Sequence, residues 1–257
     1  MLKLEHIYKS FNKGTVDEML LFDDFSFEVE KGDFVSIVGS NGSGKTTLLN
    51  LICGNILPDK GNIFFKGKEI TKFCEHKRAQ YIGRVFQDPK MGTCSNLTVL
   101  ENFALADNKN KAYDLSSAVN KERIEEYKDR LRECNMGLED RLNTPVGLLS
   151  GGQRQAISLV LAGMTNIDLL ILDEHTAALD PKSSEKIMEL TDKLVKQNNI
   201  TAIMVTHNLR FATDYGNRLV MMHNGKAILD KSGEEKEKTS VNDILGTFNE
   251  ISIECGN

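Results

Sequence analysis

The chain has 257 residues, 40% of them hydrophobic, enough to bury one large core or a core carrying a subdomain. Its 32 basic and 37 acidic residues are interspersed and leave a net charge of −5, so no basic field is available to hold nucleic acid by neutralising its phosphates. No apolar run has the length of a bilayer crossing, and the opening MLKLEHIYKSF lacks the charged-then-apolar layout of a signal peptide, so a cytosolic location is expected.

Strand-like runs come first, in LKLEHIY, FDDFSFEVE and DFVSIVG, separated by turn residues such as NKGT and EKGD. After VG the period changes to that of a helix, GKTTLLNLICG, closed by Gly54, and a further β stretch runs through GNIFFKGKEI. From about Asp88 to Gly147 apolar runs are short and helix formers many, with NKERIEEYKDRLREC the clearest amphipathic helix. Continuous apolar strands return in DLLIL and TAIMVT, alternating with the helical SSEKIMELTDKLVKQ and NLRFATDYG. Buried parallel strands that alternate with helices mean an α/β core. The tail after Gly233 is charged and closes with the amphipathic VNDILGTFNEI. The expected layout is a core with a β subdomain (1–87 and 148–233), an inserted helical subdomain (88–147) and a C-terminal tail (234–257). Five widely spaced cysteines, Cys53, Cys74, Cys94, Cys134 and Cys255, form no C-x-x-C pair and are expected to be free thiols.

Residues 39–46, GSNGSGKT, fit G-x-x-x-x-G-K-[ST] and stand between a strand and a helix, where that pattern has its mechanism. The backbone amides of Gly39, Ser40, Asn41, Gly42, Ser43 and Gly44 can cradle phosphates, and Lys45 can reach the β and γ oxygens. The Thr46 hydroxyl can help hold Mg²⁺, and Thr47 beside it at the helix start is also expected to bind the cofactor. LLILDE ends a buried strand in two carboxylates, at the strand edge where open α/β sheets bind ligands. Strand alternation is expected to point them apart, leaving Asp173 to hold Mg²⁺ through water and Glu174 to polarise the attacking water. His207, just after TAIMVT, stands at a similar edge and suits a sensor of the γ-phosphate. Gln87, in RVFQDP, can bridge Mg²⁺ or the attacking water at the threshold of the helical insert. LLSGGQRQAISL sets Ser150, Gly151, Gly152 and Gln153 at the start of a helix, a second place built to receive an anion.

Taken in this order, the signals resemble the nucleotide-binding subunits of ABC transporters over essentially the whole chain. The matching parts are Walker A at 39–46, Q-loop Gln87, signature LSGGQ at 149–153, Walker B at 169–173, catalytic Glu174, the D-loop ALD ending in Asp180, and switch His207. The resemblance implies an ABC ATPase fold: a P-loop NTPase core with an antiparallel β subdomain and an inserted α-helical subdomain. It implies ATP and Mg²⁺ as cofactors, and a head-to-tail dimer in which Ser150, Gly151 and Gly152 face the ATP of a second copy. An aromatic near the N-terminus stacks on adenine in this family; Phe11, in YKSFNKG, matches best, with Tyr8 as the alternative. His175 departs from the family, standing where a proline usually follows the catalytic glutamate; the simplest view is a loop replacement without a change of chemistry. With GRVFQDPKMGT and YGNRLVMMHNGK, this wording is similar to a bacterial subgroup serving tryptophan- or tyrosine-type and related uptake systems.

By the same resemblance the partners are a second copy of the chain, an integral membrane permease whose coupling helix meets the insert after Gln87, and indirectly a solute-binding protein, with no nucleic acid. The chain would then sit peripherally on the inner face of the cell membrane. The alternative is a soluble ABC ATPase of an assembly system such as iron–sulfur cluster biogenesis. A third reading, an unrelated phosphate-loop kinase, makes LSGGQ accidental and requires a monomer with ATP.

Overall fold

Along the chain run strands β1 (Leu2–Phe11), β2 (Met19–Val29) and β3 (Phe34–Gly39), helix α1 (Lys45–Cys53), strands β4 (Lys60–Phe65) and β5 (Lys68–Glu69), helix α2 (Glu75–Arg78) and strand β6 (Ile82–Val85). Helices α3 (Val99–Asp107), α4 (Ile124–Arg132) and α5 (Gly151–Met164) follow, then β7 (Leu169–Asp173), α6 (Pro181–Asn198), β8 (Thr201–Val205) and α7 (Leu209–Asp214). The chain closes with β9 (Arg218–His223), β10 (Lys226–Ser232), α8 (Gly233–Glu237) and α9 (Val241–Glu254). This computed structural model describes residues 1–109, 111, 117–164 and 166–254. Cys255 and parts of the expected helical insert and tail lie outside the described residues. Two compact units result, Met1–Arg78 with Ala202–Asn257, and Ala79–Thr201. Among the described residues no helix is long and apolar enough to cross a membrane.

The first unit contains an antiparallel sheet in the order β2-β1-β4-β5. Its inward positions follow the two-residue period in Leu2 and Leu4 of β1 and in Phe25, Phe27 and Val29 of β2, and a register shift after Leu4 brings Ile7 inward instead of His6. Phe22 and Phe25 stack with centroids 4.7 Å apart. β3, buried at every position, pairs parallel with both β8 and β9, which explains its largely apolar sequence, interrupted at Ser36, whose hydroxyl donates to the Tyr215 carbonyl at 3.2 Å. The β9–β10 hairpin was not expected from the sequence. It turns on Asn224 and Gly225, both at positive φ, the conformation that a two-residue hairpin turn demands. The tail helix α9 docks through Ile244 onto Val38, Ala212, Leu219 and Met221.

In the second unit β6 and β7 pair parallel, Ile82 opposite Leu169 and Val85 opposite Leu172. β6 also escaped the sequence reading, because four residues, IGRV, carry too little periodicity to separate strand from helix. Helix starts here carry readable chemistry. Thr98 and Glu101 close a capping box on α3, and Asp180 caps α6 with Pro181 at its first turn.

Candidate nucleotide site

In the first unit the expected phosphate loop runs from the end of β3 into α1. The helix starts on Gly44, which is left-handed (φ 105°) and has no side chain to cap the helix. The amides of the first turn are therefore left to a ligand or to water, the condition for an anion site. Lys45 lies buried in its own loop: Nζ donates to the carbonyls of Gly39 (2.8 Å) and Ser40 (2.9 Å) and to Ser43 Oγ (3.5 Å). Asn41, Gly42 and Thr46 are exposed, and Thr47 is half-buried. The hairpin missed in the sequence supports this loop, because Gly225 N–H at its tip donates to the Ser43 carbonyl at 3.0 Å. His207 is exposed, and the register explains its position. Ile37 of β3 pairs with Val205 of β8, so Gly39 and His207 each stand two residues beyond that pair, at the same end of two parallel strands. Asn208 then caps α7, accepting from the amides of Arg210 and Phe211. Both aromatics considered for adenine, Phe11 and Tyr8, are half-buried on β1, with the ammonium groups of Lys9 and Lys60 over their rings at 5.5 and 5.7 Å.

The second unit repeats the arrangement. Val85 of β6 pairs with Leu172 of β7, so Gln87 and Glu174 each lie two residues past that pair, at the C-terminal strand ends where α/β sheets bind ligands. Gln87 is exposed, and the carbonyl before it, that of Phe86, accepts from the buried Gln155 of α5 at 3.0 Å. Strand alternation is not what separates the two carboxylates. β7 ends at Asp173, and Glu174 takes φ 47°, a left-handed conformation rare for any residue but glycine, in a turn closed by Ala177 N–H on its carbonyl at 2.9 Å. Asp173 meets an unexpected partner: Arg84 Nη2 donates to its Oδ2 at 2.7 Å. Asp180 serves as the N-cap of α6, accepting from Ser183 N–H at 3.0 Å. Hydrogen bonds from the Ser183 side chain and amide hold its carboxyl below the usual range.

The turn at 150–153 combines two functions. Ser150 and Gln153 form a reciprocal cap at the start of α5, Gln153 N–H donating to Ser150 Oγ (3.3 Å) and Ser150 N–H to Gln153 Oε1 (3.2 Å). Gln153 Nε2 also donates to the Met136 carbonyl at 3.2 Å. A Cβ on Gly152 would sit 3.1 Å from Ser183 Oγ and 3.2 Å from its Cβ, so tight packing against α6 already favours glycine there. At Gly151 the nearest such contact is an ordinary 3.6 Å, to Leu179, so internal packing does not account for that glycine.

His175 follows Glu174 and is buried. The Thr191 hydroxyl donates to the Ile187 carbonyl (2.7 Å), so at the 3.1 Å contact the imidazole Nε2–H donates to Thr191 Oγ1. The residue standing in the family's proline position thus ties the loop after Glu174 to α6. Burial pushes its pKa down to about 4, so it is neutral in the folded protein. The unfolded chain takes up the proton near 6.5, so His175 contributes stability above that pH, which is lost as pH falls from 6.5 towards 4. Between pH 7 and pH 5 the wild type should lose about 2 kcal/mol more unfolding free energy than His175→Gln, read from urea midpoints. Parallel pH profiles for the two proteins would contradict a buried neutral imidazole.

The residues expected to hold Mg²⁺ offer only oxygen: the Thr46 hydroxyl, the Asp173 carboxylate and the Gln87 amide oxygen. Hard donors of this kind fit a hard cation. In the first unit, a glycine loop that follows a parallel strand and opens a helix defines the class of phosphate-loop nucleotide-binding proteins. The family is equally plain: the ABC transporter profile matches residues 22–177, and the chain belongs to that family. It is 45% identical over 248 residues to the tyrosine transport ATP-binding protein of Clostridioides difficile, covering 96% of this chain and 98% of that one. It is also 30% identical to the xylose/arabinose import ATP-binding protein XylG of Sulfolobus acidocaldarius, over 96% of this chain and 94% of that one. The dimeric structure of a post-hydrolysis state of an ATP-binding cassette, bound to ADP and Pi, superposes with a TM-score of 0.77 at 29% identity, covering 90% of this chain and 98% of that one. The fold is that of the ABC ATPases, a mixed α/β architecture with an antiparallel sheet and parallel strands.

Proposed function

We propose that the chain is the ATP-hydrolysing subunit of a bacterial importer for an aromatic amino acid or a similar small solute. In this reading the loop 39–46 grips the triphosphate, Lys45 turning from its own carbonyls to the β and γ oxygens. Thr46, Asp173 and Gln87 hold Mg²⁺, which supplies charge neutralisation on the phosphates when bound. Glu174 accepts the proton of the attacking water, and His207 senses the γ-phosphate. Phe11, or Tyr8 in its place, stacks on adenine. The turn at Ser150, Gly151 and Gly152 serves the ATP of a second copy packed head to tail, with Gln153 behind it and Asp180 near the same nucleotide. Residues 88–147 act as the helical subdomain that meets the cytoplasmic face of an integral membrane permease, on the inner side of the membrane, with a solute-binding protein as the indirect partner.

The observation that carries the ATPase reading is the pair of strand registers, which bring Gly39 with His207 and Gln87 with Glu174 to C-terminal strand ends. Transport is supported by the full-length likeness to the tyrosine transport ATP-binding protein, and import by the likeness to XylG. The dimer is supported by the dimeric cassette bound to ADP and Pi. Tagged chain extracted from its native membranes in mild detergent should retain an integral membrane protein, and reconstitution of the two in vesicles should raise ATP hydrolysis several-fold. Tyrosine with its solute-binding protein should raise it further. Retention of soluble assembly proteins alone, with hydrolysis indifferent to any membrane partner, overturns the transport reading.

A further inference from the structure

The least expected contact at the site is the ion pair between Arg84 and Asp173. The two strands pair with Arg84 opposite Ile171, and Asp173 lies two residues beyond Ile171 on the same face, so the arginine leans along the sheet to reach it. The guanidinium is held from two sides, by the 2.7 Å bond from Nη2 to Asp173 Oδ2 and by the Phe86 ring, 4.7 Å from Cζ to the centroid. Both side chains are largely withdrawn from water, at 12% and 15% exposure, so the pair is poorly screened. A carboxylate gripped through one oxygen by a fixed cation is oriented and partly neutralised before any metal arrives.

We propose that Arg84 is a positioning residue that fixes the Asp173 carboxylate and holds its attraction for a divalent cation low, so that the metal is retained only together with a nucleotide. The idea rests on the assignment of Asp173 as a metal ligand under the proposed function. Physically it follows from electrostatics: a fixed cation beside a carboxylate repels an incoming one.

The test is Mn²⁺ affinity of the full chain, read from the free-ion electron paramagnetic resonance signal with and without saturating ADP. Arg84→Gln keeps a hydrogen-bond donor and removes the charge. It should tighten Mn²⁺ binding at least about threefold, most visibly without ADP, while Arg84→Lys should stay near the wild type. In an Asp173→Asn background the Arg84→Gln effect should vanish, which ties it to this pair. Unchanged or weaker Mn²⁺ binding by a folded Arg84→Gln protein overturns the proposal, and so does a gain that persists in the Asp173→Asn background. If Asp173→Asn alone leaves Mn²⁺ binding with ADP at the wild-type value, the assignment of Asp173 as a ligand has failed instead, and that result is separable from the first.

Discussion

Glu174→Gln should lower steady-state ATP hydrolysis by about 100-fold or more and leave nucleotide affinity within about threefold of the wild type. The amide matches the carboxylate in size and can hold a water, but it cannot take the proton that the water must lose. In the proposed site binding depends on other groups, the loop 39–46 and the opening turn of α1, which the substitution does not touch. The carboxylate is carried by a rigid mount: Glu174 is fixed at φ 47°, its carbonyl is tied to Ala177, and the next side chain is anchored in the core at Thr191. General bases held this firmly contribute about 10² to 10⁴ in rate, which sets the size of the expected loss. A second readout separates chemistry from binding. If closure over ATP requires two copies, the variant should accumulate in ATP as a dimer on gel filtration, because the reaction that reopens it is stalled. A variant retaining half the wild-type turnover would remove Glu174 from the proposed role.

What the sequence made legible was local chemistry. G-x-x-x-x-G-K-T declares itself because the glycines, lysine and threonine act within eight consecutive residues, and the strand before them and the helix after them are equally local. The ends of β7 and β8 were readable for a similar reason, since strands buried on both faces leave continuous apolar runs. Pairing across long separations was not legible. Arg84 and Asp173 lie 89 positions apart, and nothing in IGRV indicates that its arginine will meet the carboxylate expected to hold Mg²⁺. The β9–β10 tip supports the phosphate loop through one amide, Gly225 to Ser43, and a backbone bond between distant residues leaves no trace in side-chain pattern. That His175 anchors its loop was not legible either, because burial and a threonine partner sixteen residues away are facts of packing. The two carboxylates at 173 and 174 were assigned different roles on strand alternation, whereas the strand stops between them and a left-handed residue turns the second. Ser150 illustrates overlap: the same hydroxyl that can face a phosphate also caps its own helix, so residue type alone could not separate the two uses.

Arg78→Met should lower the unfolding free energy by about 3 to 5 kcal/mol, a larger stability effect than any surface change. The side chain is fully buried, and its guanidinium faces carbonyls on every side: Nη1 donates to Leu51 (2.6 Å) and Ile52 (3.0 Å), Nη2 to Thr71 (2.9 Å) and Nε to Phe73 (2.9 Å). Leu51 and Ile52 close the last turn of α1, where carbonyls lack helical partners and the helix dipole is negative, so a cation is favoured there. Gly54 makes room for it. That residue ends the helix in the left-handed conformation (φ 83°), and a Cβ on it would stand 2.8 Å from both Arg78 Nε and the Phe73 carbonyl. Methionine fills much of the same volume but leaves the carbonyls without their shared donor, in a place water reaches poorly, and that desolvation sets the loss. Lysine keeps the charge but not the planar fork, so Arg78→Lys should recover less than half of it. The comparison that isolates burial is Arg132→Met, since Arg132 is exposed and, among the described residues, pairs with Glu125 and Asp129 of its own helix; it should cost less than about 1 kcal/mol in the same urea titrations. A loss at Arg78 no greater than at Arg132 would mean that solvent or a backbone shift satisfies the α1 terminus. The helix that begins at the phosphate loop would then need no cation to finish it.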